Sequence, residues 1–235
     1  MCNICDIADE KQSRGRVRDS STCLALAVER FGAANVVALS LYYGQKHRRE
    51  LAAARAVAEY LQVEHLELDL TAIFRYSDCP LLVQSDEDIP KGSYAEQQAD
   101  AAGQPVATYV PFRNGVFIAA AASVALARGC EVVYYGAHSD DAAGSAYPDC
   151  SEAFNAAMAQ AVWEGSGYGL RLEGPFVEKN KAEVVAEGLR LGVPYHLTWS
   201  CYEGGDKPCG QCGTCIDRQE AFRLNGVADP LVDAE

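Results

Sequence analysis

The sequence predicts an α/β protein, a doubly wound, mostly parallel sheet of Rossmann-like type that carries a zinc-binding segment at its C-terminus. Three observations lead there. Amphipathic and apolar segments alternate in an α-β-α-β rhythm, which implies crossover units. The run Val36-Val37-Ala38-Leu39-Ser40-Leu41 is apolar almost without interruption, as suits a parallel strand covered on both faces. Four cysteines then cluster late in the chain, at Cys201, Cys209, Cys212 and Cys215.

In chain order, Asp19-Ser20-Ser21 offers a helix start, Cys23, Leu24, Ala27, Val28 and Phe31 share one face, and Gly32 supplies the stop. After the strand at residues 36–41 a second helix is expected over 47–61. His65-Leu66-Glu67-Leu68-Asp69-Leu70 alternates strictly, the pattern of a strand with one wetter face. Residues 75–108 break the rhythm with Pro80, Pro90, Gly92, Gly103 and Pro105, and read as a long excursion of the kind that covers a site. The rhythm resumes with a helix over 114–127, a strand over 131–136, a helix over 151–163, a short strand near 170–172 and a helix over 181–191. The main unit is expected over 1–195 and the zinc-binding segment over 196–235. Residues 8–18 are too polar for the buried strand that should feed the first helix, and Cys2 to Ile7 is the stretch apolar enough to replace it.

A chain of 235 residues buries one substantial core, and its 49% hydrophobic and 23% charged residues exclude wholesale disorder. A net charge of −13 repels phosphate backbones and anionic lipid, so neither nucleic acid nor a membrane is an expected partner. The alanine-rich stretch 115–127 is too short to span a bilayer. Residues 1–11 lack the basic start and apolar stretch of a secretion signal, which points to the cytoplasm. Several of the ten cysteines lie in apolar helices or strands, as reduced thiols do there.

Cys201-x7-Cys209-x2-Cys212-x2-Cys215 supplies four soft thiolates, and Gly204, Gly205, Gly210 and Gly213 let the backbone turn around them. Four ligands saturate zinc and leave no open position, so a structural ion is expected, with a redox or disulfide cluster as the alternative. Cys2-x2-Cys5 stands apart without two further ligands. In a parallel sheet ligands bind beyond the carboxyl ends of the strands. The loops there hold His138, Ser139, Asp140, Asp141 and then Tyr147-Pro148-Asp149-Cys150, whose carboxylates suit magnesium or a cationic group, or simply water. They also hold Tyr43-Gly44-Gln45-Lys46-His47-Arg48-Arg49, a basic turn suited to an anion or to solvent.

Tyr43-Gly44-Gln45-Lys46-His47, Val110-Pro111-Phe112-Arg113-Asn114, Tyr147-Pro148-Asp149-Cys150, Leu197-Thr198-Trp199-Ser200-Cys201-Tyr202 and the cysteine cluster together resemble the 7-cyano-7-deazaguanine synthase family, QueC, over roughly residues 19–230. The resemblance implies an ATP pyrophosphatase fold, with a five-stranded parallel sheet and a zinc-bearing C-terminal piece. It implies that ATP adenylates 7-carboxy-7-deazaguanine, that ammonia displaces AMP to form an amide, and that a second ATP activates the amide for dehydration to the nitrile. It also implies magnesium beside ATP and a homodimer. By matching positions, Asp19, Ser20, Ser21, Thr22, Cys23, Tyr43, Gln45, Lys46, His47, Arg113 and Asn114 are expected at the nucleotide. His138, Tyr147, Pro148 and Asp149 are expected at the deazapurine, and Asp141 and Lys181 in catalysis.

One departure bears on all of this. The family's ATP loop reads Ser-Gly-Gly-x-Asp-Ser, whereas here Gly15-Arg16-Val17-Arg18-Asp19-Ser20 stands in its place. Glycines let backbone N–H groups approach pyrophosphate without a Cβ in the way. Three classes are compatible with the change: a working synthase whose Cys2–Ile7 segment supplies the strand, a relative with another acceptor chemistry, and a non-catalytic deazapurine-binding module whose N-terminus was altered by mutation or by a misassigned start.

Overall fold

The computed structural model describes residues 2–6, 16–101, 104–142 and 146–232. Five strands, β1 (Cys2–Asp6), β2 (Val36–Tyr42), β3 (Glu64–Asp69), β4 (Cys130–Tyr134) and β5 (Arg171–Glu173), form one sheet in the order β3-β2-β1-β4-β5. Every pairing is parallel. The N-terminal apolar segment is therefore the central strand, with Asn3 opposite Val36 on one side and Val132 on the other.

Nine helices are described: α1 (Arg16–Phe31), α2 (Arg49–Tyr60), α3 (Thr71–Phe74), α4 (Tyr94–Asp100), α5 (Arg113–Ala127), α6 (Ser139–Ala142), α7 (Glu152–Gly165), α8 (Lys181–Arg190) and α9 (Gly213–Leu224). The sheet separates two apolar layers. Val36 and Ala38 turn toward Cys23, Leu24 and Ala27 of α1, Val57 of α2 and Val184 of α8. Val37, Leu39 and Leu41 turn the other way, toward Phe117, Ile118 and Ala121 of α5 and Val162 of α7. This two-sided cover is why β2 reads as a continuous apolar run. Each fully buried valine or leucine there contributes about 1.5–3 kcal/mol. β3, at the sheet edge, keeps Glu64, Glu67 and Asp69 in water, in keeping with its alternating sequence.

Two expectations are corrected. α1 begins at Arg16, three residues before the expected start at Asp19, because Arg16-Val17-Arg18 contains no breaker and arginine propagates a helix well. Asp19 instead occupies the first turn, where the helix dipole favours a carboxylate. The C-terminal segment also carries α9, which packs Ala221 and Phe222 against Ala25, Val185 and Tyr195. Cys23, Cys79 and Cys150 are free buried thiols as expected, but Cys130 is disulfide-bonded.

α9 is held by a buried ion pair. Arg218 Nε and Nη2 donate to Asp229 Oδ2 and Oδ1 at 2.6 and 2.7 Å, Nη1 donates to Thr198 Oγ1 at 2.8 Å, and Nη2 also donates to the Tyr195 carbonyl at 3.2 Å. A planar guanidinium matches a carboxylate in this two-point fashion. The excursion is not free either: Lys91 bridges to Cys212, Gly92 N donates to the Gln211 carbonyl at 3.1 Å, and Lys91 pairs with Glu203.

Candidate functional site

The strand order reverses between β1 and β4, and in open α/β sheets a crevice opens beyond the carboxyl ends at that point. The chain leaving β4 runs up against the first turns of α1. A Cβ on Gly136 would stand 3.1 Å from Ser20 N and 3.3 Å from the Asp19 carbonyl carbon, so only glycine fits without a shift. Two residues later His138 Nε2 comes within 3.1 Å of Asp19 Oδ2, with both side chains fully buried.

The next turn is stitched to the loop after β5. Ser139 N and Oγ both donate to the Lys179 carbonyl at 2.9 Å, and Lys181 N donates to Asp140 Oδ2 at 2.9 Å. Asn180 starts α8 through a capping box, accepting from Glu183 N at 3.0 Å while Glu183 Oε2 accepts from Asn180 N at 2.8 Å. Lys181 is thereby fixed at the helix start, 4% exposed, beside a cavity of about 280 Å³ that Asp140, Asp217 and Glu220 also line. Asp141 lies on α6, and its side chain falls outside the described residues.

A second group sits at the start of α5, at the same edge of the sheet. Arg113 is fully buried, donates from Nη1 to Tyr43 Oη at 3.1 Å, and lies 5.2 and 5.3 Å from the Tyr43 and Phe117 ring centres. Gln45 Oε1 accepts from Tyr43 N at 3.1 Å. Asn114 N donates to Asp149 Oδ2 at 2.9 Å, and Asn114 Nδ2 reaches the Asp149 carbonyl at 3.1 Å and Cys150 Sγ at 3.2 Å. Tyr135 Oη donates to the same carbonyl at 3.1 Å, and Tyr147 Oη pairs with Thr108 Oγ1 at 2.8 Å. The buried Arg113–Asn114 dipeptide thus ties the loop after β2 to the Tyr147-Pro148-Asp149 turn after β4.

The remaining expected residues are placed elsewhere. Thr22 points into the helix layer, where its Oγ1 meets Tyr195 Oη at 3.1 Å, and Ser21 and Cys23 are likewise buried along α1. Lys46 faces the excursion, its Nζ donating to the Glu87 carbonyl at 2.9 Å, and His47 faces the cysteine segment, where a Cβ on Gly204 would meet its ring at 2.4 Å. Arg49 joins His47 there, donating to the Gly204 carbonyl at 3.0 Å and to Asp206 at 2.6 Å.

Cys201, Cys209, Cys212 and Cys215 bring their sulfurs within 4.8 Å of one another. Cys209 N donates to Cys201 Sγ at 3.2 Å, and Gln211 N and Cys212 N donate to Cys209 Sγ at 3.4 and 3.3 Å. Such N–H donors steady thiolate ligands. A hydrogen bond from Cys201, then one from Cys215, holds the Cys212 thiol far below its ordinary range, while sharing with Cys212 pushes Cys201 up to about 12. The donor set fits a metal ion.

Reading the sequence alone did not single out Gly136, Asp217 or Glu220. The first signals its role only through a contact with a helix more than a hundred residues away, and the other two lie on the unanticipated α9. The pairing of Asp19 with His138 is likewise a property of topology.

Sheet order, buried ionisable groups at the switch point, and a four-cysteine cluster fit for a metal ion define a doubly wound α/β protein with a cysteine-rich appendage. The profile described as queuosine biosynthesis protein QueC matches residues 15–226, and the chain belongs to that family. It is 42% identical over 218 residues to the 7-cyano-7-deazaguanine synthase of Archaeoglobus fulgidus, covering 92% of this chain and 87% of that one. It is 41% identical over 214 residues to the protein of the same name from Marinobacter nauticus, covering 91% of each. Among solved structures it resembles the U34-tRNA thiolase NcsA of Methanococcus maripaludis, which carries a [4Fe-4S] cluster, with a TM-score of 0.51 at 15% identity, covering 95% of this chain and 67% of the thiolase. That likeness concerns the fold.

Proposed function

We propose that this chain is a 7-cyano-7-deazaguanine synthase that consumes ATP and ammonia to turn the 7-carboxylate of 7-carboxy-7-deazaguanine into a nitrile. The observation that carries the reading is the family match across residues 15–226. In the reaction, a carboxylate oxygen attacks the α-phosphorus of ATP and pyrophosphate leaves. Ammonia then attacks the acyl carbon, losing a proton as AMP departs with its electron pair. The amide oxygen attacks a second ATP in the same way, and loss of AMP and the amide protons leaves the nitrile.

The protein's part in such chemistry is positioning and charge neutralisation. The first turns of α1 present backbone N–H groups where a phosphate binds well, and Gly136 lets the loop after β4 pack directly against those turns. Lys181 brings a cation to the same edge of the sheet. Asp19, held against His138, is the buried carboxylate available to magnesium, which would supply charge neutralisation at the phosphates. The Tyr147–Asp149 turn, oriented by Asn114, faces the deazapurine, and Asp141, on α6 ahead of that turn, takes the role of a catalytic carboxylate. Ser20, Tyr43 and Gln45 shape the nucleotide side, Ser21, Thr22 and Cys23 support it from within α1, and Lys46 and His47 lie on its flank.

The metal of the cysteine centre is read as zinc with a structural role. At a Zn–S distance of about 2.3 Å a tetrahedron has an edge of about 3.8 Å, which suits sulfurs within 4.8 Å of one another. A four-iron cluster, with each thiolate on its own iron, spreads its ligands further. Among the described residues no helix is long and apolar enough to cross a membrane. Cytoplasmic location, small-molecule partners and a homodimer complete the reading.

The test is purified, metal-replete protein with ATP, magnesium, 7-carboxy-7-deazaguanine and ammonium. AMP release together with a product of nitrile mass is expected. Absence of both, in protein that melts cooperatively, sinks the reading.

A further inference from the structure

Among the described residues Gln62, Phe112 and Tyr168 have a positive φ without being glycine. Gln62 and Tyr168 follow the ends of α2 and α7, where a left-handed residue is a common helix stop. Phe112 instead precedes α5, at φ +56° and ψ +24°, and no side-chain cap accounts for it. A bulky side chain in this region is an outlier that must be compensated.

Burial does not compensate it, because Phe112 remains 56% exposed. Its position is nevertheless fixed. A Cβ on Gly115 would lie 2.3 Å from the ring, so the first turn of α5 is left bare beneath it. Phe154 meets it edge-on at 5.9 Å, and Phe112 N donates to Tyr109 Oη at 3.0 Å. Tyr109 in turn lies 6.5 Å from the ring of Tyr147. A strained, half-open aromatic ring is thus held beside the Tyr147–Asp149 turn at the carboxyl edge of the sheet, two residues from Asn114, which orients that turn.

We propose that Phe112 is a specificity-determining residue whose ring stacks on the planar deazapurine base. The inference rests on the functional reading above and adds a residue to it. Flat heterocycles gain offset or edge contacts with an aromatic ring, and binding would cover the ring surface that folding leaves open.

The experiment compares wild type, Phe112→Gly and Phe112→Tyr by calorimetric titration with 7-carboxy-7-deazaguanine, by melting, and by light scattering. Phe112→Gly is expected to bind the base about 10-fold more weakly, the loss of one stacking contact, with an unchanged KM for ATP. Its melting temperature should hold or rise, because glycine adopts this φ freely. Phe112→Tyr should bind like wild type. Wild type that fails to bind the base removes the functional reading and this inference with it. Wild type and Phe112→Gly that bind equally remove the inference alone. A fall in melting temperature that accompanies the affinity loss would make the ring a packing element, and a change in molar mass at constant affinity would assign it to a contact with a second copy.

Discussion

His138 and Asp19, 119 positions apart in the chain, meet at 3.1 Å with neither side chain reaching solvent. The loop leaving β4 is thereby fastened to the first turns of α1 across the switch point, where ligands bind in open α/β sheets. Asp19→Ala removes the buried carboxylate that meets His138, and about 1–3 kcal/mol of stability should go with it. Urea denaturation reads that loss. AMP release by the same variant under conditions where it stays folded is expected to fall by about 100-fold or more, on the order of what preorganised electrostatic groups contribute.

The Arg218–Asp229 pair allows a sharper stability test. Asp229→Ala alone should cost about 3–5 kcal/mol, since a buried guanidinium is left without its carboxylate. Replacing both partners, as Arg218→Met with Asp229→Leu, should recover most of that cost, because no charge then stays buried unpaired. A double-mutant cycle that showed simple additivity would mean that the pair is not coupled.

Cys209→Ser takes one ligand from the four-sulfur centre. Wild type is expected to hold one zinc per chain, and the variant should lose zinc content and melt at a lower temperature, since metal affinity is folding free energy. Zinc analysis and a melting scan decide it, and unchanged values for both would refute a structural metal.

Stability should also depend on pH through His65. Burial, chiefly, with the nearby Arg55 adding to it and Glu67 opposing, lowers its pKa below the ordinary 6.5. Because the folded value is depressed, the unfolded chain binds the proton more readily, so stability is full above about pH 6.5 and declines as pH falls below it. The decline levels off below the folded pKa. His65→Gln should flatten this part of a denaturation profile recorded from pH 7 to pH 5, while retaining a partner for Ser40, whose Oγ lies 2.8 Å from the ring.

Much of this architecture was legible because period and composition reflect burial directly. The two-sided cover of β2 wrote itself into an unbroken apolar run, and the edge position of β3 into strict alternation. Cysteine spacing disclosed the metal centre because its ligands lie close in sequence. Cys2 to Ile7 could be proposed as a strand, but that it occupies the middle of the sheet depends on pairing with residues 36–39 and 130–134, which no local pattern encodes. The helix start at Arg16 was missed because an N-cap signal at Asp19 competes with permissive residues before it. The polar meeting points of the site, His138 with Asp19 and Asn114 with Asp149, arise from chain reversal and so leave no periodic trace. α9 escaped notice because glycines and cysteines around its start speak of turns.

The central place of β1 has a consequence for how the molecule is made. Its first neighbour is complete once residue 42 has emerged from the ribosome, whereas its second waits for residue 134, most of a hundred residues later. At synthesis rates of about 5–20 residues per second that interval lasts roughly 5–18 seconds. Throughout it the middle of the future sheet presents an open strand edge, the kind of surface on which other chains can pair. The nascent protein therefore passes through a window of vulnerability that ends only when β4 docks, and chaperone demand during expression should peak there.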